Sequence, residues 1–332
     1  MIITEKEKSK VVFSSLLPSH YPKLYDDLSK ILWAYYGGFG TVTNTKDYWV
    51  RDFMPIQLKE NLFVKYIYNP DYLQDKKKYI TDVDKVINRC PFVMDCEFIN
   101  IPLVIDGGNM VFCKGRRNII DTEYVVMTEK MLAENPSFSR QQIETILKAA
   151  FQNPDLTLVW LPWDKEDTFG HTDGIVRYVG ISESGKPKVL VNLEVYDDAI
   201  ANRMYDILTQ HFEVVEIKLS EYDELSWAYI NSLQTQEFII VPGIGNSLTD
   251  EEAMSQYKEL FPQYKDNIYM VQMRDFIAEN GGALNCLTWT LYEDFTRALL
   301  SGKYIEKIGS DDCKRLPVQK SIDDVLKDMP PF

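Results

Sequence analysis

Five side chains able to bind or react recur along this chain at nearly constant intervals, and that regularity constrains the fold more than any single motif. Asp52 to Asp106 is 54 residues, Asp106 to His171 is 65, His171 to Asn231 is 60 and Asn231 to Cys286 is 55. A repeat of this size marks architectures in which each unit is one supersecondary element that buries its apolar face against its neighbours. The spacing predicts about five similar units, each sending one loop or strand end toward a common centre. A length of 332 residues would suit two ordinary domains, but a closed repeat can use all of it as one. No low-complexity segment, Pro-rich linker or like-charge block interrupts the chain, so residues 1–332 are read as a single domain.

Within that frame, strand-like and helix-like runs alternate from end to end, which predicts an α/β protein. Strands are expected at Leu62–Tyr68, Ile101–Ile105, Tyr124–Thr128, Leu156–Leu161, Ile175–Val179, Lys188–Leu193, Glu237–Val241 and Ile268–Gln272. Amphipathic helices are expected at Tyr21–Trp33, Arg140–Phe151, Ala199–His211, Asp250–Phe261 and Ser321–Leu326. Ser139 with Gln142, and Thr249 with Glu252, have the spacing of a reciprocal helix-capping box.

Totals exclude several function classes. The formal charge of −14 argues against a nucleic-acid binder, which needs a basic face, and would help draw in a small cation. No apolar run nears the roughly 18 residues of a membrane span. The charged opening Met1-Ile2-Ile3-Thr4-Glu5-Lys6 lacks a signal-peptide core, so a cytoplasmic location is expected. The five cysteines (Cys90, Cys96, Cys113, Cys286 and Cys313) are scattered, with no Cys-x-x-Cys pair and no His-Glu-x-x-His. Reduced thiols and no structural metal site fit that pattern.

Four segments concentrate the chemistry. A cysteine is commonly a small inert core residue. Cys286 stands apart because Gly281-Gly282 precedes it, allowing a tight turn that presents a side chain at a pocket mouth. Its thiol, with an ordinary pKa of about 8.5, would ionise more readily beside a cation. His171 is one of only three histidines and lies in Gly170-His171-Thr172-Asp173-Gly174. On an extended strand Asp173 would share its face, so both could enter one cavity. Trp49-Val50-Arg51-Asp52 offers a carboxylate acceptor beside an aromatic wall that could stack on a flat cation, or simply a local surface ion pair. Asp106 heads Asp106-Gly107-Gly108-Asn109, a turn after an apolar run.

Taken in order, these segments resemble the agmatine deiminase and bacterial peptidyl-arginine deiminase group of the guanidino-group-modifying superfamily. Trp49-Val50-Arg51-Asp52-Phe53-Met54-Pro55 is similar to that group's Trp-x-Arg-Asp-x-x-Pro, and Ile105-Asp106-Gly107-Gly108-Asn109 to its acidic-Gly-Gly-Asn segment. Val159-Trp160-Leu161-Pro162 through Asp167-Thr168-Phe169-Gly170-His171-Thr172-Asp173 is similar to its Trp-Leu-Pro…Asp-x-Thr-x-Gly-His-x-Asp. Gly281-Gly282 through Cys286-Leu287-Thr288 is similar to its Gly-rich loop, Cys and Thr, and Ala228-Tyr229-Ile230-Asn231 followed by Val241-Pro242 is a weaker fifth match. The matches run from about residue 49 to residue 290.

The resemblance implies a pentein-type fold, a five-bladed pseudo-symmetric α/β-propeller with its site near the axis. It implies Cys286 as nucleophile, His171 as general acid and then base, and Asp106 as the carboxylate that orients it. Asp52 and Asp173 become the clamp for a small cationic guanidine, with Trp49 and Asn231 also facing the substrate. No metal or organic cofactor is implied. Several positions depart from the group's pattern: Asn285 stands where many relatives have His, Ala283 replaces a glycine, and Asp106 is shorter than the usual Glu. Phe53-Met54 and Phe169 are bulkier or less polar than typical.

Substrate choice rests on less. Between Asp52 and Asp106 the sole arginine is Arg89, and Lys76-Lys77-Lys78 is expected in an exposed helix, so no Arg pair is evident for a substrate carboxylate. That favours agmatine, with a place in polyamine biosynthesis, over arginine or peptidyl-arginine. Amidino transfer to another amine, and a non-catalytic guanidine binder, are the remaining alternatives.

Overall fold

The computed structural model describes residues 2–35 and 38–293, and the backbone of 318–321. Their strands form five separate small sheets. Every sheet has the same plan: a central strand pairs antiparallel with one neighbour and parallel with the other. The central strands are Lys10–Ser14, Leu62–Ile67, Ile120–Thr128, Pro187–Val191 and Ile239–Gly243. A parallel partner requires a crossover, and helices supply it. Pro22–Leu32, Val83–Ile87, Arg140–Ala150, Asp198–His211 and Ser247–Leu260 each fall between a central strand and its parallel neighbour. The repeat is therefore strand, strand, helix, strand, five times over, as expected of a five-bladed α/β-propeller.

One unit is assembled from both ends of the described chain. Trp289–Leu291 runs antiparallel to Lys10–Ser14, with Val12 opposite Trp289, and Phe39–Val42 completes the sheet in parallel. In the sheet of Ile56–Lys59, Leu62–Ile67 and Glu97–Val104, the strand Val318–Ser321 adds a fourth member beside Glu97–Val104.

Local chemistry explains most elements. Central strands such as Ile239–Gly243 are covered on both faces and read as continuous apolar runs. The Ser139 cap forms as expected: Gln142 N–H donates to Ser139 Oγ, and Ser139 N–H donates to Gln142 Oε1. The Thr249–Glu252 box does not form. Asn246 caps that helix, accepting from Leu248 N and Thr249 N, so the helix begins three residues before the expected Asp250. Thr249 Oγ1 instead contacts the Tyr229 hydroxyl, and Glu252 accepts from Ser220 N. Lys76–Lys78 are exposed as expected, but on 3-10 turns between Asp71 and Tyr79 rather than a regular helix. The helix expected over Ser321–Leu326 lies outside the described residues except for Ser321, which ends a strand.

Candidate active site

The five loops that lead into the first strand of each sheet carry the singled-out side chains. Asp52 sits in the short helix Val50–Phe53 before Ile56–Lys59, and Asp106 opens the turn Gly107–Asn109 before Val111–Arg117. His171 and Asp173 precede Val176–Ile181, Asn231 precedes Leu233–Gln234, and Cys286 precedes Trp289–Leu291. This equivalence of position is the physical origin of the spacing near 60 residues. Trp49, Asp52, His171, Asp173, Asn231 and Cys286 line one cavity of about 770 Å³. Asp106 stands behind the imidazole, with Oδ2 3.0 Å from His171 Nε2, so its short side chain still reaches.

Glycines let these groups approach. A Cβ built on Gly108 would lie 2.7 Å from Asp52 Oδ1, 3.0 Å from His171 Nδ1 and 3.3 Å from Asp173 Oδ1. Gly281 ends the helix Arg274–Asn280 at φ +74°, a left-handed conformation that glycine adopts without strain. Trp49 packs onto Gly282 so closely that a Cβ there would lie 2.5 Å from the indole. The extended path expected for His171-Thr172-Asp173 is instead a 3-10 turn over Thr172–Gly174, following Gly170 at φ +58°. Curvature, and not strand alternation, brings both side chains to one cavity.

Buried hydrogen bonds hold the loops in register. Asn109 Oδ1 accepts from Thr128 N at 2.9 Å and from Thr172 Oγ1 at 2.9 Å, tying the second loop to the third. Arg51 does not pair with its neighbour Asp52. Its side chain turns away from the cavity to pair with Glu5 (3.1 and 3.3 Å) and to donate from Nε to Asn285 O at 3.3 Å. Its backbone N–H donates to Cys286 O. Cys286 N–H donates to Asn231 Oδ1 at 3.2 Å, and Cys286 Sγ lies 3.7 Å from Asp173 Oδ2. Asn285, one of the departures noted above, donates from Nδ2 to the same Asp173 oxygen at 2.6 Å.

The electrostatics follow from burying three carboxylates, an imidazole and a thiol together. Burial alone would push the His171 pKa down, but Asp52, Asp106 and Asp173 outweigh it and raise it to about 10. Burial, with Asp106 and Asp173 beside it, lifts Asp52 to about 7 against the pull of His171 and the Gly108 N–H. The Cys286 thiol is pushed well above its ordinary value, first by burial and then by Asp173 and Asp52; the Ala283 N–H and the Asn231 side chain oppose this. At neutral pH the site therefore holds a thiol and an imidazolium, with Asp52 close to its own titration point. Such a pocket favours a cation.

Sequence reasoning missed several participants. Tyr72 lines the cavity, edge-on to Phe169 at 5.1 Å and to His171 at 6.2 Å. Trp227 forms another wall. The outer part of the cavity is acidic: Asp164, Glu166, Asp167, Glu194, Asp223 and Glu224 line it, and no Lys or Arg does so among the described residues. Arg274 pairs with Asp223 at 3.3 Å from outside. Only the net charge hinted at this rim. Among the described residues no group of three or more His, Cys, Asp or Glu could hold a metal ion, and no helix is long and apolar enough to cross a membrane. Cys313 lies outside the described residues.

Known proteins share the family and the fold. The agmatine deiminase of Stutzerimonas stutzeri is 24% identical over 228 residues, 58% of this chain and 58% of that protein. That of Medicago truncatula is 22% identical over 246 residues, 64% and 60% respectively. The chain thus matches under two thirds of the length of these curated relatives. The solved agmatine deiminase of C. jejuni shares the fold, with a TM-score of 0.64 at 18% identity over 88% of this chain and 96% of that one. The family model for Porphyromonas-type peptidyl-arginine deiminase matches residues 39–291, and the chain belongs to that family.

Proposed function

We propose that this family member is a cytoplasmic, single-domain hydrolase that converts a guanidinium to a ureido group and ammonia through a covalent adduct on Cys286, with agmatine as the substrate. The observation that carries the reading is the meeting of Asp52, His171 and Asp173 around Gly108, with the thiol 3.7 Å from Asp173. A guanidinium is planar, permanently charged and offers its N–H donors in a fixed fork. Asp52 and Asp173 accept them, Trp49 walls the flat face, and the central carbon is held against sulfur.

The steps balance without a cofactor. The substrate cation adds positive charge beside Cys286, and the thiol loses its proton to solvent. Sulfur bonds to the guanidinium carbon, the C–N bond breaks, and the leaving nitrogen departs as ammonia with a proton from His171. Water then gives one proton back to His171 as its oxygen bonds to the same carbon. The C–S pair returns to sulfur, the second water proton restores the thiol, and the ammonia takes up from solvent the proton that the thiol released at the start. Asp106 keeps the imidazole oriented throughout.

The acidic rim favours agmatine over arginine. A distal ammonium suits carboxylates such as Glu194 and Glu224, whereas a substrate carboxylate would face like charge with no cation lining the cavity among the described residues. The product is N-carbamoylputrescine. Purified protein is given agmatine, free arginine or a C-terminal-arginine peptide, and ammonia and ureido product are measured. Turnover of agmatine with loss of turnover in Cys286→Ala is expected. Turnover of only the other two would reject the substrate, and an active Cys286→Ala would reject the mechanism.

A further inference from the structure

Lys130 is a fully buried lysine that the mechanism above leaves unused. It opens the short helix Lys130–Glu134, just after the strand Ile120–Thr128, and stands behind the cavity wall rather than in it. Taking an ammonium out of water is costly unless each of its donors is met. Here three acceptors meet its three N–H groups: Thr168 O at 3.0 Å, Phe169 O at 2.9 Å and Asp71 Oδ1 at 2.9 Å. A methionine would fill similar volume without that cost, so packing alone does not account for the charge.

The acceptors show what the charge holds. Thr168, Phe169 and Gly170 are the three residues before His171, and each of their carbonyls is bonded to the same corner of the fold. Lys130 takes the first two, and Thr128 Oγ1 donates to the third at 2.7 Å. Gly170, at φ +58°, is packed so tightly that a Cβ there would lie 2.6 Å from Trp163 Nε1 and 3.3 Å from Lys130 Cδ. On the other side, Asp71 heads the 3-10 turns Asp71–Tyr79, which contain no buried residue of their own. Lys130 Nζ also lies 4.7 Å from the centre of the Tyr72 ring, within cation–π range. Tyr72 and Phe169 in turn pack against the His171 imidazole, each with its ring centre 6.2 Å away. One ammonium thus holds the backbone leading into His171 and anchors both rings that lean on it.

We infer that Lys130 is a positioning residue for His171, keeping the imidazole aimed at the leaving nitrogen through residues 168–170 and the rings of Tyr72 and Phe169. The inference rests on the hydrolytic reading above, in which His171 gives a proton to that nitrogen and takes one from water. The carboxylate clamp has other supports: Gly108 N–H donates to Asp52 at 3.0 Å, and Asn285 Nδ2 to Asp173 at 2.6 Å. Loss of Lys130 should therefore spare substrate binding and impair proton transfer.

Lys130→Met removes the donors and keeps the bulk. With agmatine, kcat should fall about 10²-fold, the cost of misplacing a reacting group by about 1 Å, while KM stays within about threefold. A kcat within about threefold of the native value, or a raised KM at unchanged kcat, overturns the inference. A second readout needs no substrate. The sequence has only three histidines, so the His171 Nε2–H signal can be followed by NMR in histidine-labelled protein, and its bond to Asp106 at 3.0 Å should protect it from exchange with water. Lys130→Met should lose that protected signal, which a merely destabilising substitution would leave in place. Where Lys130→Met does not fold, Asp71→Ala carries the same test: that side chain is half-exposed, and its removal frees one side of the ammonium. Native-like protection of the signal in the folded variant refutes the positioning role. Failure of the native protein to release ammonia from any guanidine would instead count against the proposed function, and the imidazole signal would still decide this inference.

Discussion

Gly108→Ala isolates the geometry on which the site depends. The new methyl would sit 2.7 Å from Asp52 Oδ1 and 3.0 Å from His171 Nδ1. Ordinary carbon contacts are near 3.5 Å, so the carboxylate must retreat by roughly 0.8 Å and the imidazole by roughly 0.5 Å. Misplacing reacting groups by about 1 Å costs on the order of 10²-fold, which sets the expected fall in kcat/KM. Overpacking costs about 1–3 kcal/mol, partly offset by the ~0.4–1 kcal/mol that replacing glycine contributes through the unfolded chain. Melting should therefore drop by only a few degrees. Gly115→Ala is the matched control, because its Cβ would meet Pro187 Cδ at 2.8 Å and Thr122 Oγ1 at 2.9 Å, in a different sheet region from the cavity. It should lose similar stability and keep its activity at 25 °C. Ammonia release and thermal melts on both variants decide the matter. Equal activity in the two would mean that Asp52 and His171 do not act from the positions described.

The remaining predictions concern protons. For kcat/KM, which reports the free enzyme, a bell is expected: activity falls below about 7 as Asp52 takes up a proton, and above about 10 as His171 loses one. A profile with no acid limb between pH 6 and 8 would contradict the clamp. Asp106→Asn removes a carboxylate 3.0 Å from the imidazole, so the alkaline limb should move to lower pH; an unmoved limb would show that Asp106 does not hold the imidazolium.

Asp106, His171 and Cys286 were legible because they sit on loops with glycines close by, where local sequence dictates the backbone path. The capping rule shows where such legibility stops. Ser139 and Gln142 matched the pattern and formed it, whereas Thr249 and Glu252 matched it equally and were claimed by Tyr229 and Ser220 from other elements. Short edge strands such as the two-residue Leu233–Gln234 carry too few side chains to show any period. His171 and Asp173 reached one cavity by a turn that neither strand alternation nor composition would suggest. Arg51 adjoins Asp52 in the sequence, but its partner is Glu5, 46 residues away and in no repeat register. Tertiary pairing of that kind leaves no trace in a single sequence.

That pairing ties the Cys286 loop to the closure of the ring. Glu5 lies just before the strand Lys10–Ser14, and Thr290 lies on the strand that pairs with it. Arg51 bonds both, and also the Asn285 carbonyl beside Cys286. The seam joins residues almost 280 positions apart, so it closes against a large loop entropy and is a natural place for local opening. Glu5→Gln leaves Arg51 and Lys8 buried with one negative partner fewer, which should cost about 3–5 kcal/mol at pH 7. Burial opposes the Glu5 charge, but Arg51, Lys8 and Thr290 outweigh it and hold the folded pKa below the ordinary 4.5. A depressed carboxylate stabilises above its unfolded value and loses that contribution as pH falls, so the gap between native and variant should narrow below about pH 4.5. If the seam governs the thiol, Cys286 in Glu5→Gln should label faster than global unfolding measured in urea allows. Labelling that tracks global unfolding alone would show the ring closing elsewhere first.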